Sequence, residues 1–102
     1  MEKLKITVLK KMFNKDLADE LCQGDVEPCP VFKEGQEFIY EHRGEGKKPE
    51  NFCDQAWNDI YKVIFTLAWN GSFTGWMKDE GTAITCCTDG IRPVVFLVER
   101  ID

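Results

Sequence analysis

Serine and histidine are almost absent from this chain of 102 residues: Ser72 is the one serine and His42 the one histidine. A Ser–His–Asp triad would need both lone residues to meet, so that chemistry is not expected. No Cys-x-x-Cys pair occurs, unlike zinc fingers and ferredoxins, whose close-paired ligands come from one turn. The glycine-rich run Gly44-Glu45-Gly46-Lys47-Lys48 lacks P-loop spacing. The longest apolar-rich stretch, Ala56 to Trp69, is interrupted by Asn58, Asp59, Lys62 and Thr66 and is too short to span a bilayer. The start, Met1 to Ile6, holds no continuous apolar run, so no secretory signal and no membrane partner are expected, and the cytoplasm is the expected address. Basic charge is also in deficit. Thirteen Lys and Arg stand against 18 Asp and Glu, a net charge of −5, which argues against a nucleic-acid partner because phosphates need a basic face.

What is present is an ordinary globular balance, 43% apolar and 30% charged, in a length that suits one domain over residues 1–102. Residues 3–10 alternate, with Leu4, Ile6 and Val8 opposite Lys3, Lys5 and Thr7, as in a strand with one wet face. Asn14 is a plausible cap for a short helix over 15–22, and Gly24 a natural stop. Residues 24–35 read as a loop, 36–41 as a second strand, and 42–50 as a polar surface loop carrying a solvated His42. A long helix is predicted from Phe52 or Cys53 to Trp69, stopped at Asn70-Gly71, with an apolar arc of roughly 200° centred on Trp57. Trp69 falls in its polar arc. Residues 72–81 form a connector anchored by Phe73 and Trp76. Thr82–Cys87 reads as a strand, Asp89-Gly90 as a hairpin turn, and Pro93–Ile101 as a closing strand apolar on both faces, hence central and covered on both sides. The expected class is α+β: a small antiparallel or mixed sheet packed by one long and one short helix.

The five cysteines carry the chemical content. All can be small buried hydrophobes, the blandest reading. Alternatively, Cys29, Cys53, Cys86 and Cys87 are candidate ligands for zinc or an iron–sulfur cluster, since they fall at loops or element ends. Cys29 precedes Pro30 in an extended loop. Cys53 opens the long helix, where unpaired N–H groups favour an anionic sulfur and so a nucleophilic or redox-active thiol. Cys86 and Cys87 are neighbours in a strand and point to opposite faces, so one can join a site while the other packs in the core. Cys22 looks spare. Asp89, Gly90 and Arg92 form a turn in which Asp89 can bond its own backbone and Arg92 can bind a carboxylate or phosphate, or pair with Asp89 or Asp102.

Three segments carry a family resemblance: Cys29-Pro30-Val31-Phe32-Lys33-Glu34-Gly35 with Phe38 after it, Pro49-Glu50-Asn51-Phe52-Cys53-Asp54-Gln55-Ala56-Trp57, and Cys86-Cys87-Thr88-Asp89-Gly90-Ile91-Arg92-Pro93-Val94-Val95-Phe96, leading to Glu99-Arg100. Together they resemble a family of short bacterial and archaeal proteins, about one hundred residues per unit, sometimes in tandem and frequent in anaerobes. No activity is established for that family, so the resemblance implies only that Cys29, Cys53, Asp89, Gly90, Arg92 and Pro93 lie in its motifs. The anaerobic association favours thiol or iron–sulfur chemistry. The sequence therefore leaves three functional readings. The first is a small cytosolic binding or accessory module for a protein or small molecule, homodimeric through Trp69 or a sheet edge. The second is a cysteine-ligated metal or thiol-redox protein. The third is a small enzyme with a nucleophilic Cys53.

Overall fold

In the computed structural model, which describes residues 3–42 and 47–101, alternation and helical periodicity place six elements in chain order. These are β1 (Lys3–Lys11), α1 (Lys15–Leu21), β2 (Glu37–Glu41), α2 (Asp54–Ala68), β3 (Thr82–Cys86) and β4 (Val94–Arg100). The strands form one sheet in the order β2-β1-β4-β3, antiparallel throughout. The class is α+β with one long and one short helix. Among the described residues only α2 packs on the sheet, while α1 packs on no other element and buries Ala18 alone.

The alternation in β1 decides which face is dry. Leu4, Ile6 and Val8 are buried beside Phe38 and Tyr40 of β2, Val94, Phe96 and Val98 of β4, and Ala83 of β3. Onto this face α2 lays Ala56, Trp57, Ile60, Ile64, Leu67 and Ala68, the stripe predicted around Trp57. Phe65 of the same helix is exposed.

The far end of α2 is held by two devices. Asn70, at φ 66, takes the left-handed cap position, and the N–H groups of Gly71 and Asn70 return to the carbonyls of Thr66 and Leu67 at 2.7 and 3.1 Å. A Cβ on Gly71 would lie 2.6 Å from the Thr66 carbonyl oxygen, so only glycine fits. Arg100, the last residue of β4, donates through Nη1 to the carbonyls of Leu67 and Gly71 at 2.8 and 3.0 Å. A cation there also opposes the negative end of the helix dipole.

Several sequence expectations are corrected. Asn14 stands at the N-cap of α1 as expected, its carbonyl accepting the Ala18 N–H at 3.0 Å, but its side chain does not cap the helix: Nδ2 donates to the Gly90 carbonyl at 2.7 Å. β1 is bulged between Val8 and Lys10, which breaks its alternation and exposes Leu9. β4 is central as expected, yet no helix covers its second face: Val95 and Leu97 are half-buried and face the side away from α2. Trp76 does not anchor the connector; it is exposed, while Phe73 packs against the core. His42 is buried rather than solvated. Its Nδ1 lies 2.9 Å from the Tyr40 hydroxyl, and its ring packs edge-on against Trp69 and Phe65. The remainder of the predicted polar loop includes residues 43–46, which lie outside the described residues.

Replacing Arg100 by methionine keeps the apolar stem and removes both carbonyl contacts. Bonds from a charged donor contribute about 1.5–3 kcal/mol, and urea unfolding of Arg100→Met is expected to show a loss of that size. A change below about 0.5 kcal/mol, the range of ordinary surface substitutions, would show that Arg100 does not pin the helix.

Candidate functional site

The three segments that carry the sequence motifs are far apart in the chain and meet in space. A cavity of about 170 Å³ is lined by Cys29, Pro30, Val31 and Phe32 of the first, by Cys53, Gln55 and Ala56 of the second, and by Cys87, Asp89, Arg92 and Val94 of the third. The cavity sits where α2 begins, at one end of the helix.

An aromatic cluster holds these segments together. Phe32 meets Phe52 and Phe96 with ring centroids 5.1 and 5.2 Å apart, at interplanar angles of 63° and 82°. Phe38 joins at 5.9 Å from Phe32 and 4.9 Å from Phe52. Such edge-to-face pairs are favourable beyond the area they bury. Each motif thus contributes one ring to the cluster and one thiol to the cavity: Phe32 with Cys29, Phe52 with Cys53, Phe96 with Cys87. Phe32 is 1% exposed, so the loop of residues 24–35 is tied down at the point that presents Cys29.

Cys53 occupies the N-cap position of α2 in an extended conformation, and its side chain makes no capping hydrogen bond. Cys87 is buried, and its Sγ accepts the Val94 N–H at 3.3 Å. Cys86 is exposed. The neighbours diverge as strand geometry requires, so of the four candidate ligands Cys29, Cys53 and Cys87 share the cavity and Cys86 does not. Among the described residues, no group of three or more His, Cys, Asp and Glu side chains could hold a metal ion. The thiols therefore line one cavity without forming a metal cage, and the zinc and iron–sulfur readings draw no support from their spacing. Cys22 lies at the end of α1, away from the cavity wall.

Residues 87–93 do not make the two-residue hairpin that Asp89-Gly90 suggests. That turn needs positive φ at both central positions, and neither Asp89 nor Gly90 has it. Instead the Asp89 Oδ1 accepts the N–H groups of Ile91 and Arg92, both at 2.9 Å, and its Oδ2 accepts Arg92 Nε at 3.2 Å. Asp59 of α2 accepts the Thr88 N–H and hydroxyl through Oδ2 at 2.8 and 3.0 Å, and Asn14 holds Gly90 and Ile91 from the other side. The turn is thus braced from three directions. With Nε engaged by Asp89, Arg92 sits on the cavity wall as an oriented cation, and it also borders a shallower depression lined by Asp25, Glu27 and Pro28. The braces from Asp59 and Asn14 were not foreseen, because a tie between a helix and a distant loop leaves no local signal. The phenylalanines beside Cys29 and Cys53 were the available clue to convergence.

The chain matches no protein-family model, and no curated protein or solved structure matches it. Among the described residues no helix is long and apolar enough to cross a membrane.

The backbone N–H of Arg92 first, with further help from the Ile91 N–H and the Arg92 guanidinium, holds the Asp89 carboxyl below its ordinary value of 3.8 against an opposing effect of burial. A carboxyl held low in the folded state stabilises the fold above its unfolded pKa, and that stabilisation is lost as pH falls through the folded pKa. Asp89→Asn is therefore expected to be destabilising at neutral pH, with the difference from the native chain shrinking as pH drops below about 4. Denaturant titrations across that range check the sign. A difference that stays constant with pH would show that the carboxylate charge has no part in bracing the turn.

Proposed function

We propose that this chain is a small binding domain whose ligand occupies the cavity between the 29–32 loop, the start of α2 and the 87–92 turn. The observation that carries this reading is convergence: three separated cysteine-bearing segments contribute to one cavity, together with a braced arginine. The ligand is a small molecule. A dry cavity of about 150 Å³ accommodates benzene, and this one is of similar size. Apolar contact comes from Phe32, Ala56 and Val94, and Arg92 supplies the charge that recognises a carboxylate or phosphate. The class is thus a compact acid with an apolar body. Five free cysteines are in keeping with a reducing cytoplasmic setting.

A second reading, a reactive thiol, has one observation in its favour: the Val94 N–H reaches Cys87 Sγ at 3.3 Å, a donor suited to an anionic sulfur. In that case Cys87 or Cys53 would be alkylated by iodoacetamide near neutral pH faster than the exposed Cys86, which serves as the internal standard.

Thermal denaturation in the presence of a panel of small aromatic and aliphatic carboxylates and phosphates tests the binding reading. A ligand at one hundred times its Kd stabilises by about 2.7 kcal/mol, a readily measured rise in Tm. At least one panel member is expected to raise the Tm of the native chain, and the rise should be lost in Arg92→Met. Equal shifts in both proteins, or none in either, would contradict the proposal.

A further inference from the structure

The two edges of the sheet differ in a way that bears on assembly. Edge strand β2 carries Glu37 and Glu41, and charge on an edge discourages pairing with another chain. Edge strand β3, Thr-Ala-Ile-Thr-Cys over Thr82–Cys86, carries no charge at all. In an antiparallel ladder the backbone groups of successive residues alternate between facing the neighbouring strand and facing away. The Arg100 N–H donates to the Gly81 carbonyl at 2.8 Å and the Cys87 N–H to the Val94 carbonyl at 3.1 Å, which sets that alternation. Ala83 and Thr85 therefore turn their N–H and C=O groups toward β4, and Thr82, Ile84 and Cys86 turn theirs away from the sheet. Among the described residues no backbone hydrogen bond reaches these outward groups. The side chains of the same three residues lie on the face that α2 leaves uncovered. There Ile84 is 38% exposed beside Leu97, and Cys86 stands opposite Val95.

We infer that β3 pairs with β3 of a second copy of this chain, antiparallel about a two-fold axis at Ile84, so that the two sheets become one. The strand is complementary to itself. The axis sets Ile84 opposite Ile84 of the second copy and Thr82 opposite its Cys86. Each of Thr82, Ile84 and Cys86 then donates its free N–H and fills its free C=O, and no like charges meet. The apolar strip of Ile84, Leu97 and Val95 continues across the junction. The other edge cannot do this. Pairing β2 with itself about Ile39 would set Glu37 opposite Glu41 of the second copy, carboxylate against carboxylate. The sequence left Trp69 as the alternative dimer contact. Trp69 packs against His42 and Phe65 of its own chain, with ring centroids 5.1 and 6.1 Å apart, and stays 63% exposed, so a dimer through Trp69 is the competing arrangement that the Ile84→Lys and Thr82→Cys variants distinguish.

Light scattering on the native chain tests the pairing and leaves the ligand cavity untouched. A mass of twice 11.8 kDa is expected. Ile84→Lys places a charge against its own image at an already exposed site and is expected to give a folded monomer by circular dichroism. Thr82→Cys is expected to form an intermolecular disulfide with Cys86 of the second copy when oxidised with glutathione disulfide. Hydrogen-bonded antiparallel pairs have Cα atoms about 5.5 Å apart, within disulfide range. The inference is overturned by a native chain that remains monomeric at millimolar concentration, by an Ile84→Lys dimer, or by a Thr82→Cys link that forms elsewhere.

Discussion

The edge-to-face packing of Phe32 against Phe52 and Phe96 is the contact on which the arrangement of this protein depends. The three rings belong to a loop, to the approach to α2 and to the central strand β4. None of these segments is close to another in sequence. Bringing the loop of residues 24–35 down onto the sheet orders many backbone dihedrals, each at a cost of about 1–2 kcal/mol. Burial of a full aromatic ring is the largest offset that loop has, because Val31 beside it is exposed and Cys29 is only partly buried. Two backbone bonds complete the docking: the Gly35 N–H donates to the Val8 carbonyl at 2.7 Å, and the Val8 N–H to the Gln36 carbonyl at 2.9 Å.

The cavity is a consequence of that packing. Phe32 and Phe52 each have a thiol within three residues, β4 carries Phe96 on from the turn that follows Cys87, and the three thiols stand around one volume. The 87–92 turn closes the wall and is braced by three side chains. Asp89 organises it from within, Asp59 holds it to α2, and Asn14 holds it to the end of β1. A turn with this many polar ties keeps Arg92 in one orientation, as a recognising group must be kept. At the opposite end of α2, Arg100 and the Asn70-Gly71 cap hold the last turn of the helix.

Much of the fold was legible in the sequence. Alternation in residues 3–10 revealed β1 and its dry face, and the spacing of Trp57, Ile60, Ile64 and Leu67 revealed α2 and the stripe it buries. The apolar run Val94–Val98 correctly marked the central strand, although its uncovered second face was read as covered. A half-buried apolar face and a fully buried one have the same composition, so the pattern alone does not separate them. Local signals failed where a distant partner decided the outcome. Asn14 took the cap position of α1, yet its side chain bonded Gly90 rather than the helix. Asp89-Gly90 had the composition of a tight hairpin and became a side-chain-braced turn. His42, in a polar stretch, was drawn inward by Tyr40, Phe65 and Trp69. The divergence of Cys86 and Cys87 was readable because it follows from strand geometry. The convergence of Cys29, Cys53 and Cys87 was not, because nothing local encodes which loops meet.

That convergence is the central claim, and cross-linking reads it directly. The reduced chain would be treated with a short bifunctional maleimide at high dilution, and the linked peptides mapped by mass spectrometry. The account predicts intramolecular links among Cys29, Cys53 and Cys87, with Cys86 modified singly and joined to none of them. Links from Cys86 to Cys53 or Cys29, or no link among the three cavity thiols, would contradict it.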